Sequence, residues 1–161
     1  MRPEGTDADR PAGESAPGPV LALDLGERRI GVAVSDRGRR LARALLVFKR
    51  GARAEDFATI SRLADEHGAS LVLVGLPLTL AGRAGSRAAW AREYAADLAA
   101  HLWLPVRLWD ESFSSQDAQA MLIEAGVGRR RRRERLDGAA AAFSLQAFLD
   151  AGSPEMGDGP A

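Results

Sequence analysis

Asp24 is the only charged residue in Val20-Leu21-Ala22-Leu23-Asp24-Leu25, and Gly26 closes that run. A carboxylate near the end of a buried strand loses much of its hydration, so it needs a cation or several hydrogen-bond donors around it. A strand-terminal Asp can also bond its own turn, and on this segment alone both assignments stand. Two further acidic positions suit the same chemistry. Asp110-Glu111 follow the strand signal Pro105-Val106-Arg107-Leu108-Trp109, and carboxyl ends of strands face the ligand crevice in open α/β sheets. Asp137 lies in Arg135-Leu136-Asp137-Gly138-Ala139-Ala140, where an acid in a first helical turn would also suit the helix dipole. Small residues there would let that helix approach the sheet closely, bringing Asp137 near the other two. Carboxylates about 4 Å apart repel by roughly 4 kcal/mol at an effective dielectric near 20. A divalent cation reverses that repulsion, and oxygen-only ligation suits Mg²⁺ or Mn²⁺ rather than zinc. Such ions activate water and stabilise the leaving oxygen of a phosphodiester.

These acids need a sheet to hold them. Three strand signals open the chain at 20–25, 30–35 and about 42–48, and the short turns between them favour antiparallel neighbours. The spacing predicts a helix over 53–67, with Phe57, Ile60, Leu63 and Ala64 on one side and Gly68 as its stop. Residues 70–75 read as a strand buried on both faces. The Gly- and Pro-containing loop 76–85 follows, and it suits either a phosphate approach or a structural connection, without the spacing of a Walker motif. A helix is expected over 86–101, where Trp90, Tyr94 and Leu98 recur every four residues, then the strand 105–109. Helices over 114–125 and about 135–149 complete the series. The order β-β-β-α-β-α-β-α-α implies an α/β fold with a mixed five-stranded sheet, three antiparallel N-terminal strands and helices on both faces.

The 161 residues suit one domain with one core. Residues 1–19 and 151–161 read as disordered tails around a domain at 20–150, and neither carries a membrane span or signal core. The formal net charge is zero, but between the tails twenty basic residues meet sixteen acidic ones. The absence of cysteine excludes disulfides and thiolate metal sites and is compatible with a cytoplasmic location. His67 and His101 fall at opposite helix ends, so a histidine zinc site is not expected.

Taken together, Leu23-Asp24-Leu25-Gly26 through Ile30-Gly31-Val32-Ala33-Val34-Ser35-Asp36, Val74-Gly75-Leu76-Pro77-Leu78, Trp109-Asp110-Glu111, Met121 through Val127, and Leu136-Asp137 through Leu145-Gln146 resemble the YqgF (RuvX) family. Its members are described as Holliday junction resolvases or pre-16S rRNA nucleases. The resemblance covers essentially all of 20–150 and implies an RNase H-like fold. It also implies Asp24, Glu111 and Asp137 as catalytic, metal-binding acids for one or two Mg²⁺ or Mn²⁺ ions. Gly26 would let the chain turn closely beside that site, and Arg28 or Arg29 would contact a phosphate. Two positions depart from the family pattern. Asp110-Glu111-Ser112-Phe113-Ser114-Ser115 stands where the family has Asp-Glu-Arg, an apolar residue and two threonines, so Ser112 lacks a guanidinium while Ser114 keeps a hydroxyl for nucleic-acid contact. Gly138 stands where a longer side chain is common, and it weakens a helix by about 1 kcal/mol relative to Ala.

Arg129, Arg130, Arg131, Arg132 and Arg133 form an uninterrupted basic run, expected as a loop between two helices and four residues short of Asp137. Such a run is either a solvated loop or a phosphate-contacting one, and its nearness to the acids favours phosphate contact. Trp90 and Tyr94 are expected in the core rather than on bases. The function that follows is a metal-dependent endonuclease on structured RNA or branched DNA, with maturation of pre-16S rRNA ahead of junction resolution. A resolvase would act as a homodimer to place two sites. A non-catalytic nucleic-acid-binding factor keeps the same fold and arginines. An actin-like phosphotransferase also opens with Asp-Leu-Gly after a strand, but about 130 ordered residues do not supply its second lobe.

Overall fold

The computed structural model describes residues 17–76, 86–110 and 129–152, with backbone alone at 110 and 129–138. Near-continuous apolar runs build β1 (Val20–Leu25) and β2 (Arg29–Ser35), and the more exposed β3 (Ala42–Lys49) follows, all joined by short turns. Helix α1 (Arg53–His67) leads to β4 (Leu71–Leu76), α2 (Ser86–His101) leads to β5 (Val106–Asp110), and α3 (Arg129–Asp150) ends the domain. The sheet order is β3-β2-β1-β4-β5. β1 and β3 flank β2 antiparallel, while β4 runs parallel to both β1 and β5. The mixed sheet with three antiparallel N-terminal strands is therefore as expected.

Strand alternation divides the core into two layers. Leu21, Leu23, Leu25, Ile30, Val32, Val34, Val72 and Val74 pack with α1 and α2 on one face. Val20, Ala22, Ala33, Leu71 and Leu73 pack with Ala141, Leu145 and Phe148 of α3 on the other. Both faces are covered by helices. β4 is central and buried throughout, which explains its unbroken apolar sequence. Gly68 ends α1 in the left-handed conformation at φ 63°, a position where glycine carries no Cβ penalty.

α3 corrects the expected boundary. The arginine run is not an interhelical loop, because Arg129 to Arg133 already belong to the helix backbone. Arginine is a good helix former, and no Gly or Pro separates the run from Asp137. Pro17, Gly18 and Pro19, expected in the tail, are hydrogen-bonded to the domain: Ser70 donates to the Pro17 carbonyl at 2.8 Å, and the Ser70 N–H to the Pro19 carbonyl at 2.9 Å. The predicted 114–125 helix lies outside the described residues, as does the expected loop 76–85 apart from Leu76, which closes β4. Among the described residues no helix is long and apolar enough to cross a membrane.

Candidate active site

Asp24 is half-buried near the carboxyl end of β1. It shares the parity of Val20 and Ala22, which places it on the sheet face covered by α3. Its partner on β2 is Gly31. Continuing the parallel register one step beyond Leu23 and Val74 sets Gly75 on its other side, and Gly75 pairs in turn with Trp109. The carboxylate thus stands between two residues that contribute no side chain to its row. Gly26 then turns the chain so tightly that its N–H donates to the Arg29 carbonyl at 2.9 Å, and a Cβ at Gly26 would lie 2.7 Å from that oxygen.

Asp137 belongs to α3, eight residues past the start of the helix. The helix-dipole explanation therefore does not apply to it, because that effect fades within the first turn. Glu111 and Ser114 lie outside the described residues, with the backbone of Asp110 closing β5 just before them. Among the described residues no group of three or more His, Cys, Asp or Glu side chains is placed to hold a metal. The Glu111 and Asp137 side chains are outside that set. Asp24 supplies a hard oxygen donor of the kind Mg²⁺ and Mn²⁺ take.

Where the turn after β1 meets the end of β3, a groove of about 880 Å³ is lined by Glu27, Arg28, Arg29, Lys49, Arg50 and Gly51. Arg28 and Arg29 were expected at a phosphate. Lys49 and Arg50 were not, although a basic pair closing a strand that pairs back onto Arg29 was the available signal. Arg50 is already engaged. Its guanidinium donates to the Gly26 carbonyl at 3.0 Å and lies 4.4 Å from the Trp90 ring centroid, while its N–H donates to the Arg28 carbonyl at 2.8 Å. It fastens the turn after Asp24 to α2.

Under this groove lies a buried polar pair that sequence reasoning missed. Asp56 is 2% exposed, and its carboxylate accepts the Gly51 N–H at 2.9 Å and the Tyr94 hydroxyl at 3.1 Å. Burial, and then the Asp56 carboxylate, push the Tyr94 phenol well above its ordinary range, so it stays protonated and donates. Arg53 pairs with Asp97 and, at 3.4 Å, with Glu93, tying α1 to α2. Tyr94 is fully buried and Trp90 packs against the core, as expected for both.

Residues 18–151 match the family model described as RuvX: Holliday junction resolvase. The chain belongs to the RuvX family. RuvX-family relatives named "Putative pre-16S rRNA nuclease" include one from Myxococcus xanthus, 43% identical over 135 residues, spanning 84% of this chain and 89% of the relative. Another, from Syntrophomonas wolfei, is 39% identical over 134 residues, spanning 83% and 95%. Among solved structures, Thermus thermophilus RuvC in complex with a Holliday junction substrate aligns with TM-score 0.53 and 17% identity over 84% of this chain and 97% of that one. The Fowlpox virus resolvase with Holliday junction DNA aligns with TM-score 0.54 and 8% identity over 84% and 99%. These likenesses establish the RNase H-like fold of this RuvX-family chain.

Proposed function

We propose that this RuvX-family protein is a divalent-metal-dependent endonuclease that cuts structured nucleic acid, with the precursor end of 16S rRNA as its substrate. One observation carries the reading: Asp24, half-buried and flanked by glycines, lies on the sheet face covered by the helix that contains Asp137.

The layout of α3 supports their convergence. Gln146 accepts the Ala42 N–H at 2.9 Å and donates to the Arg40 carbonyl at 2.9 Å, at the end of the sheet where β1 begins. Phe148, two residues on, meets Trp109 of β5 edge-to-face at 5.4 Å, so the helix straddles the middle of the sheet. Asp137 precedes Gln146 by nine residues, about 13 Å of helix at about 1.5 Å per residue. Asp24 is four residues beyond Val20, about 13 Å of strand. Equal spans of this kind are what convergence of the two acids requires.

Asp24, Glu111 and Asp137 would hold the ion, whose chemistry when bound is activation of water and stabilisation of the leaving oxygen. Arg129 to Arg133 open α3 with no acid in its first turn, the reverse of what the helix dipole favours, and this supports an anionic partner there. Pre-16S rRNA is favoured over a junction by the names of the relatives at about 40% identity. The description of the family model favours junction resolution as the second reading.

The test is cleavage by purified protein with Mg²⁺ or Mn²⁺ of precursor 16S RNA and of four-way DNA junctions, alongside Asp24→Asn and Glu111→Gln. The proposal expects cleavage of the RNA and its loss in both variants. Paired cuts in the junction by a dimeric species would establish the second reading. Binding with no cleavage of either substrate would overturn the nuclease reading.

A further inference from the structure

The groove between the turn after β1 and the end of β3 has more structure than a scatter of surface charge. Ile30 packs toward α1 and α2, so Arg29, one residue before it, has the opposite parity and lies on the face of Asp24. Arg29 pairs with Lys49 across the β2–β3 hairpin, and Phe48 packs with Ile30, so Lys49 shares that parity. Asp24 pairs with Gly31, two residues from Arg29. A diagonal neighbour of this kind lies about 7–8 Å away between α-carbons, and Lys49, one strand farther, about 12 Å. The row Asp24, Arg29, Lys49 therefore crosses the sheet from its centre toward its β3 edge on one face.

Availability separates these side chains from their neighbours. No hydrogen bond or ion pair engages the side chains of Arg28, Arg29 or Lys49 among the described residues, whereas Arg50 bonds the Gly26 carbonyl and packs on Trp90, and Arg53 pairs with Glu93 and Asp97. The one acid in the lining, Glu27, leaves the groove positive. The hairpin fixes the Arg29–Lys49 spacing by backbone pairing, and Arg50 fixes the turn that precedes Arg29 through the Gly26 carbonyl. Among the described residues these cations are preset in position and none is held in an ion pair.

We propose that Arg29 and Lys49 form a phosphate track along which one strand of the nucleic acid leaves the acidic cleft, crossing β2 toward the β3 edge. This rests on the nuclease reading for its substrate class. The contacts are to backbone phosphates, so they set direction and register without reading sequence. Arg29 and Lys49 are positioning residues, and the chemistry stays with the acids.

The test is fluorescence anisotropy of the full-length protein, without added divalent ion, on a labelled precursor 16S RNA and a labelled four-way DNA junction across a salt series. Arg29→Gln and Lys49→Gln are each expected to weaken binding several-fold and to reduce the slope of log K against log salt by about 0.7–0.9, one phosphate contact each. Lys49→Arg is expected to retain both. Arg43→Gln removes an equal charge from the far end of β3 and is expected to leave the slope unchanged. An unchanged slope in Lys49→Gln, or an equal loss in Arg43→Gln, overturns the track. Cleavage assays on the same proteins separate the two readings. If wild type cuts nothing while Lys49→Gln binds more weakly, the nuclease reading fails and the track stands.

Discussion

The two ends of the sheet differ in what their polar groups do. Where β1 begins, the side chains of Ser35, Asp36, Arg39, Ser70 and Gln146 are spent on the protein itself. Ser35 Oγ accepts the buried Val20 N–H at 2.8 Å, and Arg39 donates to the Gly18 carbonyl and to Ser70 Oγ at 2.9 and 3.1 Å. The Asp36 carboxylate accepts the N–H groups of Arg40 and Leu41, and Gln146 ties the start of β3 to α3. Where β1 finishes, Arg28, Arg29 and Lys49 line an open groove, and Asp24 is half-buried. Intramolecular bonds engage these five residues at the first end, and the second leaves Arg28, Arg29 and Lys49 available. Buried donors without partners cost about 1–3 kcal/mol, so the first end is where polar substitutions should act on stability. The second end is where they should act on the nucleic acid.

The sharpest test of that contrast is Asp24→Asn. It is expected to reduce cleavage by about 100-fold or more, since even the outer partners of metal ligands are worth about 10–100-fold, while circular dichroism shows a retained fold. Tyr94→Phe comes next, because it deprives the buried Asp56 carboxylate of a hydroxyl donor. The expected cost is about 2 kcal/mol in urea unfolding. It also carries a pH signature. The folded phenol titrates above its ordinary value of 10.0, so wild-type stability falls as pH rises above that value, and the variant should lack this alkaline fall.

Ser35→Ala at the first end is expected to cost about 1–2 kcal/mol by leaving the Val20 N–H unpaired, with cleavage per folded molecule unchanged. Lost cleavage with intact stability would erase the distinction between the ends. The smallest effect belongs to Asp36→Ala. The N–H groups of Leu41 and then Arg40 hold the Asp36 carboxyl below its ordinary value of 3.8. Its contribution is present above that value and is lost as pH falls through the lower folded pKa, so the variant should show a shallower loss of stability in acid.

Much of the fold was legible locally. Short apolar runs bounded by turn signals located the five strands to within about one residue, and the 3.6-residue period located α1 and α2. The start of α3 was not, since an arginine run carries no apolar period and only helix propensity argues for it. Within the site, Asp24 stood out as a lone charge in an apolar strand. Asp56 did not, because an acid in the first turn of a helix looks favourably solvated until Gly51 and Tyr94 enclose it. Lys49 was passed over for the same reason, its significance arising only opposite Arg29.

By itself the sequence determined the elements, the acids worth attention and membership of the RuvX family, because periodicity and motif spacing are properties of neighbouring residues. The tertiary structure alone decided that Asp24 shares a face with α3 and stands between glycines, that Arg29 and Lys49 align beside it, and that Arg50 is a fastener rather than a free cation. Those are consequences of strand order and register. Both depend on pairing between segments far apart in the chain, which no local pattern encodes.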